Sequence, residues 1–278
     1  MLSPCLVQYL LSDDPGQPLV EYIRVVDKYS VNPPTTFTPK KFIHQLKEHS
    51  AILEYRQANL HNAGEPFSVS TPYSKWPFRA LNRQFPDVIT KCFDDPTPSG
   101  RGFAYVFDFT GEWRKVDSSA NVQIVNTFSI SLLCAHAAVK RDVKAYVRLI
   151  GPFYDQADPK KKFKEEDENG WVPDGVRGVW WTEMLRAIGN IPDLPLVVVR
   201  CGLVYGPGAV GLEGDAIFPC EFLPLTGWRL VTSGILLGLV YKRLNQEMKF
   251  LWSPKIRKNT SHIVDVAIAT WKTAEYVR

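Results

Sequence analysis

The segment Tyr22-Ile23-Arg24-Val25-Val26-Asp27 is rich in β-branched residues and ends on an acid, which predicts a strand with a carboxylate at its C-terminal end. Ahead of it, Leu6, Val7, Leu10 and Leu11 recur at helical spacing until Asp13-Asp14-Pro15-Gly16, a cluster of turn formers, stops the helix. Downstream the two periods keep alternating. Residues 32–40, heavy in proline and threonine, read as a loop, whereas Ile52 to Asn59 and Phe103 to Phe109 read as strands apolar enough to be buried on both faces. Asn121 to Lys140 predicts a helix, Val143 to Leu149 a strand, Trp180 to Ile188 a helix and Leu196 to Arg200 a strand. Such alternation predicts an α/β fold with a doubly wound parallel sheet. After Tyr205-Gly206-Pro207-Gly208, glycine and proline break every segment up to Thr232, as in a small lobe of loops and short elements. Past His262, the residues Ile263, Val266, Ala267, Trp271, Ala274 and Val277 share one helical face, which should pack back on the sheet.

The 278 residues suffice for one large α/β domain with an appended lobe, and 45% hydrophobic with 22% charged residues is a globular composition. A balance of 33 basic to 29 acidic residues leaves +4, scattered along the chain, so no nucleic-acid partner is expected. Cys5, Cys92, Cys134, Cys201 and Cys220 are odd in number, far apart and never in C-x-x-C spacing, so neither a metal site nor a disulfide framework is predicted. Apolar runs such as Ile235 to Tyr241 are too short to span a bilayer, and the N-terminus has no basic region followed by an apolar stretch. The expectation is a cytoplasmic protein with no membrane span.

Five segments, in order, resemble the extended short-chain dehydrogenase/reductases of the NAD-dependent epimerase/dehydratase and 3β-hydroxysteroid dehydrogenase type. Arg24-Val25-Val26-Asp27-Lys28 resembles the end of the family's second strand, whose terminal Asp binds the adenosine ribose. Gln57-Ala58-Asn59-Leu60 resembles Q-x-D-[LIV], which touches adenine, with Asn59 for the usual Asp. Phe107-Asp108-Phe109-Thr110-Gly111-Glu112 resembles the N-x-A-[AG] end of strand four. Arg200 to Gly208 matches R-x4-YGPG, and Asn259 to Ala267 resembles the N-x-x-H-V-x-D-V-A that starts the last helix. The resemblance implies a Rossmann-type NAD(P)-binding domain over residues 1–205, a substrate-type lobe over 206–258 and a closing helix over 259–278. It further implies Asp27, Asn59, Leu60, Thr110 and Gly111 at the cofactor, and Tyr154, Tyr205 and His262 toward a small-molecule substrate of unnamed class. A homodimer is admitted as a further association. NAD is the implied cofactor, held weakly or lost, with NADP disfavoured because a 2′-phosphate beside Asp27 would be repelled, an effect that Lys28 only partly offsets.

Taken singly, these residues have plainer readings. A strand-ending Asp is a common turn former, Tyr205-Gly206-Pro207-Gly208 is first of all a turn, and His262 reads as a residue at the start of a helix. Lys160 to Lys162 with Glu165 to Asp167 reads as a solvated loop of mixed charge, and Trp180-Trp181 as helix packing.

Two features of the family are missing. A glycine triplet that lets backbone N–H groups approach the pyrophosphate should precede Asp27, and none occurs there. The first strand is therefore expected to be absent from the sheet, which points to a truncated gene model or splice form before an evolved loss. The chemistry also needs a Tyr-x3-Lys pair, in which Lys lowers the Tyr pKa, and a Ser or Thr that holds the substrate hydroxyl. None of the 11 tyrosines has Lys four residues on. Counting from Glu183, the Tyr and Lys positions hold Gly175 and Val179, and the hydroxyl position holds Ile150 or Leu149. The leading expectation is a pseudoenzyme that keeps the NAD-binding fold without hydride transfer. The rivals are an active oxidoreductase or epimerase on a sugar nucleotide or sterol-like substrate, using Tyr154, Glu183 or Lys144, and a non-catalytic scaffold.

Overall fold

The computed structural model describes residues 2–11, 18–35, 38–60, 86–94, 97–113, 119–151, 153–156, 171–205, 243 and 260–277. The lobe expected over 206–258, the apolar run Ile235 to Tyr241 and the charged loop at 160–167 lie outside the described residues, Arg243 excepted.

Helix α1 (Leu2–Leu10) leads to strand β1 (Ile23–Asp27), helix α2 (Lys40–Glu48) and strand β2 (Leu53–Gln57). Helix α3 (Pro86–Asp94) and strand β3 (Tyr105–Asp108) follow. One long helical run then starts as α4 (Ala120–Gln123), passes through a π-helical segment at Ile124–Ser129 and continues as α5 (Ile130–Lys140). Strand β4 (Ala145–Ile150), the short strands β5 (Tyr154–Gln156) and β6 (Trp171–Pro173), helix α6 (Gly175–Gly189) and strand β7 (Leu196–Arg200) come next. Strands β8 (Leu203–Tyr205) and β9 (Thr260–His262) precede the closing helix α7 (Ile263–Tyr276).

The elements predicted from periodicity are present. Helices α2 and α3, whose apolar residues do fall at helical spacing, and the short three-residue strands went unread. Helix α6 begins at Gly175, five residues before the predicted Trp180, because its first turn is glycine-rich and carries no apolar stripe.

Strands β3, β4 and β7 form a parallel sheet in that order, β1 with β2 and β8 with β9 form two further parallel pairs, and β5 pairs antiparallel with β6. Among the described residues no strand is hydrogen-bonded between β1 and β3. Arg24 of β1 reaches helix α3, its Nη1 donating to the Cys92 carbonyl at 2.9 Å, and the Tyr22 and Phe103 rings, ahead of β1 and β3, lie 6.2 Å apart. Helix α1 joins the β1–β2 pair to the β3–β4–β7 sheet because its apolar residues fall in two adjacent i, i+4 rows. Leu6 and Leu10 pack with Ile263, Val266, Ala267 and Trp271 of α7, whereas Val7 and Leu11 pack with Phe42 of α2 and Leu53 of β2. As predicted, α7 lies back on the sheet, its Trp271 ring 5.2 Å from Tyr105 and 6.1 Å from Phe107.

Strand β4 is buried along its whole length, and its side chains alternate between the two helical layers. Tyr146 and Ile150 join the cluster built by α3, α5 and α6, while Leu149 joins the cluster of α1 and α7. The expectation that β2 and β3 are buried on both faces needs correction, since both are largely half-buried, each having a strand partner on one side only. The run Ala120–Lys140 is long and apolar enough to cross a membrane by length and composition, a candidate that the sequence reading passed over. Its most apolar stretch is 61% buried inside the fold, so core packing takes up its apolar side chains.

Candidate functional site

In open α/β sheets ligands bind outside the carboxyl ends of the strands, and here the carboxyl ends of β3 and β4 carry a buried polar network. Asp108 closes β3. Its Oδ1 accepts from the Thr110 N–H at 2.9 Å, from the Thr110 hydroxyl at 2.6 Å and from Arg148 Nη1 at 2.8 Å. Its Oδ2 accepts from the Tyr146 hydroxyl at 2.6 Å, and its backbone carbonyl accepts from Arg148 Nη1 at 3.0 Å. Burial, with the Asp108 charge beside it, pushes the Tyr146 phenol well above its usual range, so it stays a neutral donor. A charge inside a strand as apolar as β4 demands a partner, and Arg148 was the signal for this network that the sequence reading did not use.

The turn after β3 is pinned from the long helical run. The Glu112 N–H donates to the Thr127 hydroxyl at 3.0 Å, Gln123 Nε2 donates to the Glu112 carbonyl at 3.3 Å, and Thr127 donates to Gln123 Oε1 at 3.0 Å. Thr127 sits in the π-helical segment, which places it against the turn. Within the turn, Gly111 adopts φ +131°, and a Cβ there would lie 2.7 Å from the Trp181 ring. Glycine is required on both counts.

Beside this turn three aromatic rings pack edge to face. Trp113 and Trp181 are 4.7 Å apart, Phe153 and Trp181 4.8 Å, and Trp113 and Phe153 5.4 Å between centroids. Arg148 lies 4.7 Å over Trp181, and Arg177 lies 4.1 Å over Phe153 while its Nη1 donates to the Trp113 carbonyl at 2.8 Å.

Ile150, Gly175 and Val179, the positions singled out by the resemblance, fall at the end of β4 and on the first turns of α6. Ile150 ends β4 and is fully buried, its carbonyl accepting from the Cys201 N–H at 3.1 Å. Two residues after Gly151, the Phe153 carbonyl accepts from the Asp174 N–H at 2.8 Å, just ahead of Gly175 at the start of α6. Any side chain larger than Gly178 would strike that carbonyl. Val179 is 45% exposed on the first turns of α6. None of Ile150, Gly175 and Val179 can carry a proton. The nearby Cys201 thiol is pushed up to about 11 by burial, so it is no thiolate nucleophile.

Of the remaining candidates, Asp27 and Asn59 are exposed at the carboxyl edge of β1 and β2, where the Ala58 N–H donates to the Asp27 carbonyl at 2.9 Å. Asp27 Oδ1 also accepts from the Tyr29 N–H at 3.3 Å, the turn-forming role read as its plainer alternative. Leu60 packs against the α3–α5–α6 core instead of opening to the sheet edge. Tyr205 and His262 are register partners in the parallel pair β8–β9, and Tyr154 pairs with Pro173 across β5–β6. His262 makes no side-chain cap to the start of α7. Of the rival acid–base groups, Lys144 stands at the amino end of β4, six residues or about 20 Å from Ile150, and Glu183 pairs with Arg186 on α6. Among the described residues no three His, Cys, Asp or Glu side chains group to hold a metal ion.

No protein-family model matches this sequence, and no curated protein does. Solved structures do match. A UDP-N-acetylglucosamine 4-epimerase from Methanobrevibacter ruminantium M1 superposes on 99% of this chain with 14% identity and a TM-score of 0.62. The chain has a Rossmann-type α/β fold. An ADP-L-glycero-D-manno-heptose-6-epimerase from Helicobacter pylori, at 15% identity and TM-score 0.57, also covers 99% of the chain. A dTDP-glucose 4,6-dehydratase from Streptomyces venezuelae, solved with NAD bound, covers 96% at 15% identity and TM-score 0.56. The chain spans 70%, 70% and 66% of these three relatives in turn.

Proposed function

We propose that this chain is an NAD-binding-fold protein of the epimerase/dehydratase type that performs no hydride transfer by the family's usual route. The observation that carries the proposal is the packing beside Gly111. Trp113, Phe153 and Trp181 fill the space where the β3 turn, the end of β4 and the start of α6 meet, and Ile150, Gly175 and Val179 around it supply no acid, base or hydroxyl.

The fit to NAD is partial. Asp27 and Asn59 stand together at an exposed strand edge, which suits an adenosine ribose, and the Asp27 carboxylate favours NAD over NADP by repelling a 2′-phosphate. At the other end, the edge of the Trp181 ring lies against the Thr110–Gly111 turn, so NAD is held by its adenosine end.

The test is conversion of UDP-sugars with NAD followed by product chromatography, and NADH formation at 340 nm with an alcohol panel, for the native chain, Gly175→Tyr, Val179→Lys and the double variant. All four are expected at background. A phenol at 175 without a cation at 179 keeps a pKa near 10, and groups that act as a unit are not restored singly. Clear cofactor-dependent turnover by the native chain overturns the proposal. Calorimetry with NAD and NADP separates weak binding from a scaffold that keeps the fold alone, and tighter binding of NADP would remove Asp27 from the ribose.

A further inference from the structure

Helices α1 and α2 pack through Val7, Leu11 and Phe42, and beside that contact lies a groove of about 160 Å³ that opens to solvent. Its wall includes His49, whose carbonyl accepts from the N–H of Leu53, the first residue of β2, at 2.8 Å. The groove therefore sits at the amino end of β2, away from the Asp27 edge. Gln45 lines it and is only 9% exposed, yet among the described residues its side-chain amide has no hydrogen-bond partner. Polar groups buried to this degree are almost always paired, and leaving one unpaired is costly. The amide is turned to the groove, so its partner must come from there.

The side chains around Gln45 are rich in donors. Lys41, one turn earlier on the same face of α2, brings an ammonium, Gln8 of α1 a second amide, and His44 and His49 their ring N–H groups. The one carboxylate of the lining, Glu48, already has His44 Nε2 at 3.0 Å. Leu11, just past α1 and 6% exposed, adds an apolar floor.

We propose that this groove binds a small monocarboxylate, its two oxygens shared between the Lys41 ammonium and the Gln45 amide and its short hydrocarbon body lying on Leu11. A carboxylate offers about four acceptor positions and no donor, which answers the donor surplus, and its charge strengthens each bond. A phosphate would instead set a charged oxygen on Leu11. The volume is far above the roughly 10–15 Å³ that a single water needs, so a short-chain acid has room. NAD binding at the Asp27 edge, or its failure, leaves this inference untouched.

The experiment follows the Gln45 side-chain amide and Leu11 methyl resonances of the native full chain by NMR, with sodium butyrate titrated at constant ionic strength. Butyramide, the neutral isostere, sodium phosphate and sodium chloride are the control arms. Both resonances are expected to shift along one saturating curve with butyrate, about tenfold or more tighter than with butyramide or phosphate, and without saturation in chloride. Lys41 is exposed, so Lys41→Met tests the charge without disturbing the core, and it should weaken butyrate by about fivefold or more. No saturating shift with butyrate, butyramide or phosphate binding as tightly, or a smaller change in Lys41→Met overturns the proposal.

Discussion

Strands β4 and β1 have similar sequences, Ala145-Tyr146-Val147-Arg148-Leu149-Ile150 and Ile23-Arg24-Val25-Val26-Asp27, yet they meet different fates. Each carries one arginine among apolar residues. β4 has β3 and β7 on its two edges and helices on both faces, so all six residues are buried and Arg148 must find its counter-charge inside. Among the described residues β1 has one strand partner, β2, and it is half-buried as far as Val26, with Asp27 exposed. One face of that pair is apolar and packs on α1 and α2 through Val25, Tyr55 and Leu53. On the other face Glu54 receives Tyr22, Arg24 and Arg56, and the two arginines reach on to the Cys92 and Lys91 carbonyls near the end of α3, at 2.9 and 3.0 Å. Cations suit that end of a helix. Both arginine side chains are buried, Arg24 being 3% exposed, but Glu54 is 29% exposed where Asp108 is 2%. Lateral neighbours, not composition, therefore decide whether the ion pair of a strand arginine is fully enclosed or open on the carboxylate side.

The largest effect expected from this contrast is at Asp108. Asp108→Ala leaves Arg148 buried without its counter-charge and should cost about 3–5 kcal/mol in urea unfolding; a loss under about 1 kcal/mol would mean that water reaches the guanidinium and that the two arginines are alike. A smaller contrast is expected from cavities. Met184→Ala, in the core facing β4, should cost about 2–5 kcal/mol, and Val25→Ala, in β1, less than about 1.5 kcal/mol. Equal losses would erase the distinction between the sheets.

The smallest effect concerns acid. Burial raises the Glu54 carboxyl, but hydrogen bonds from Tyr22, Arg24 and Arg56 outweigh it and bring the group from 4.5 to about 2. Between those values the unfolded chain binds a proton that the folded chain does not. The stabilisation is therefore full above about pH 4.5 and is lost as pH falls toward 2. Glu54→Gln should flatten the fall in Tm over that window, and an unchanged slope would show that this ion pair carries no linked charge.

Much of the fold is legible because periodicity is a local property. The helices at Leu2–Leu10 and Ile263–Tyr276 and the strands at Ala145–Ile150 and Leu196–Arg200 can be read from the spacing of their apolar residues, which have only one compact way to be buried. The candidate site was legible only as absences at 150, 175 and 179, since a missing Tyr, Lys or Ser is visible without coordinates. What fills the space was not legible. Trp113, Phe153 and Trp181 come from three separate segments, and Asp108 and Arg148 stand 40 residues apart. Nothing in their local spacing binds them together. The sequence by itself determined which periodic elements form and that positions 150, 175 and 179 hold Ile, Gly and Val. Only the tertiary structure decided that β4 is central, that α1 links two sheets and that Arg148 meets Asp108 in the core, because strand adjacency and convergence of distant side chains are consequences of packing.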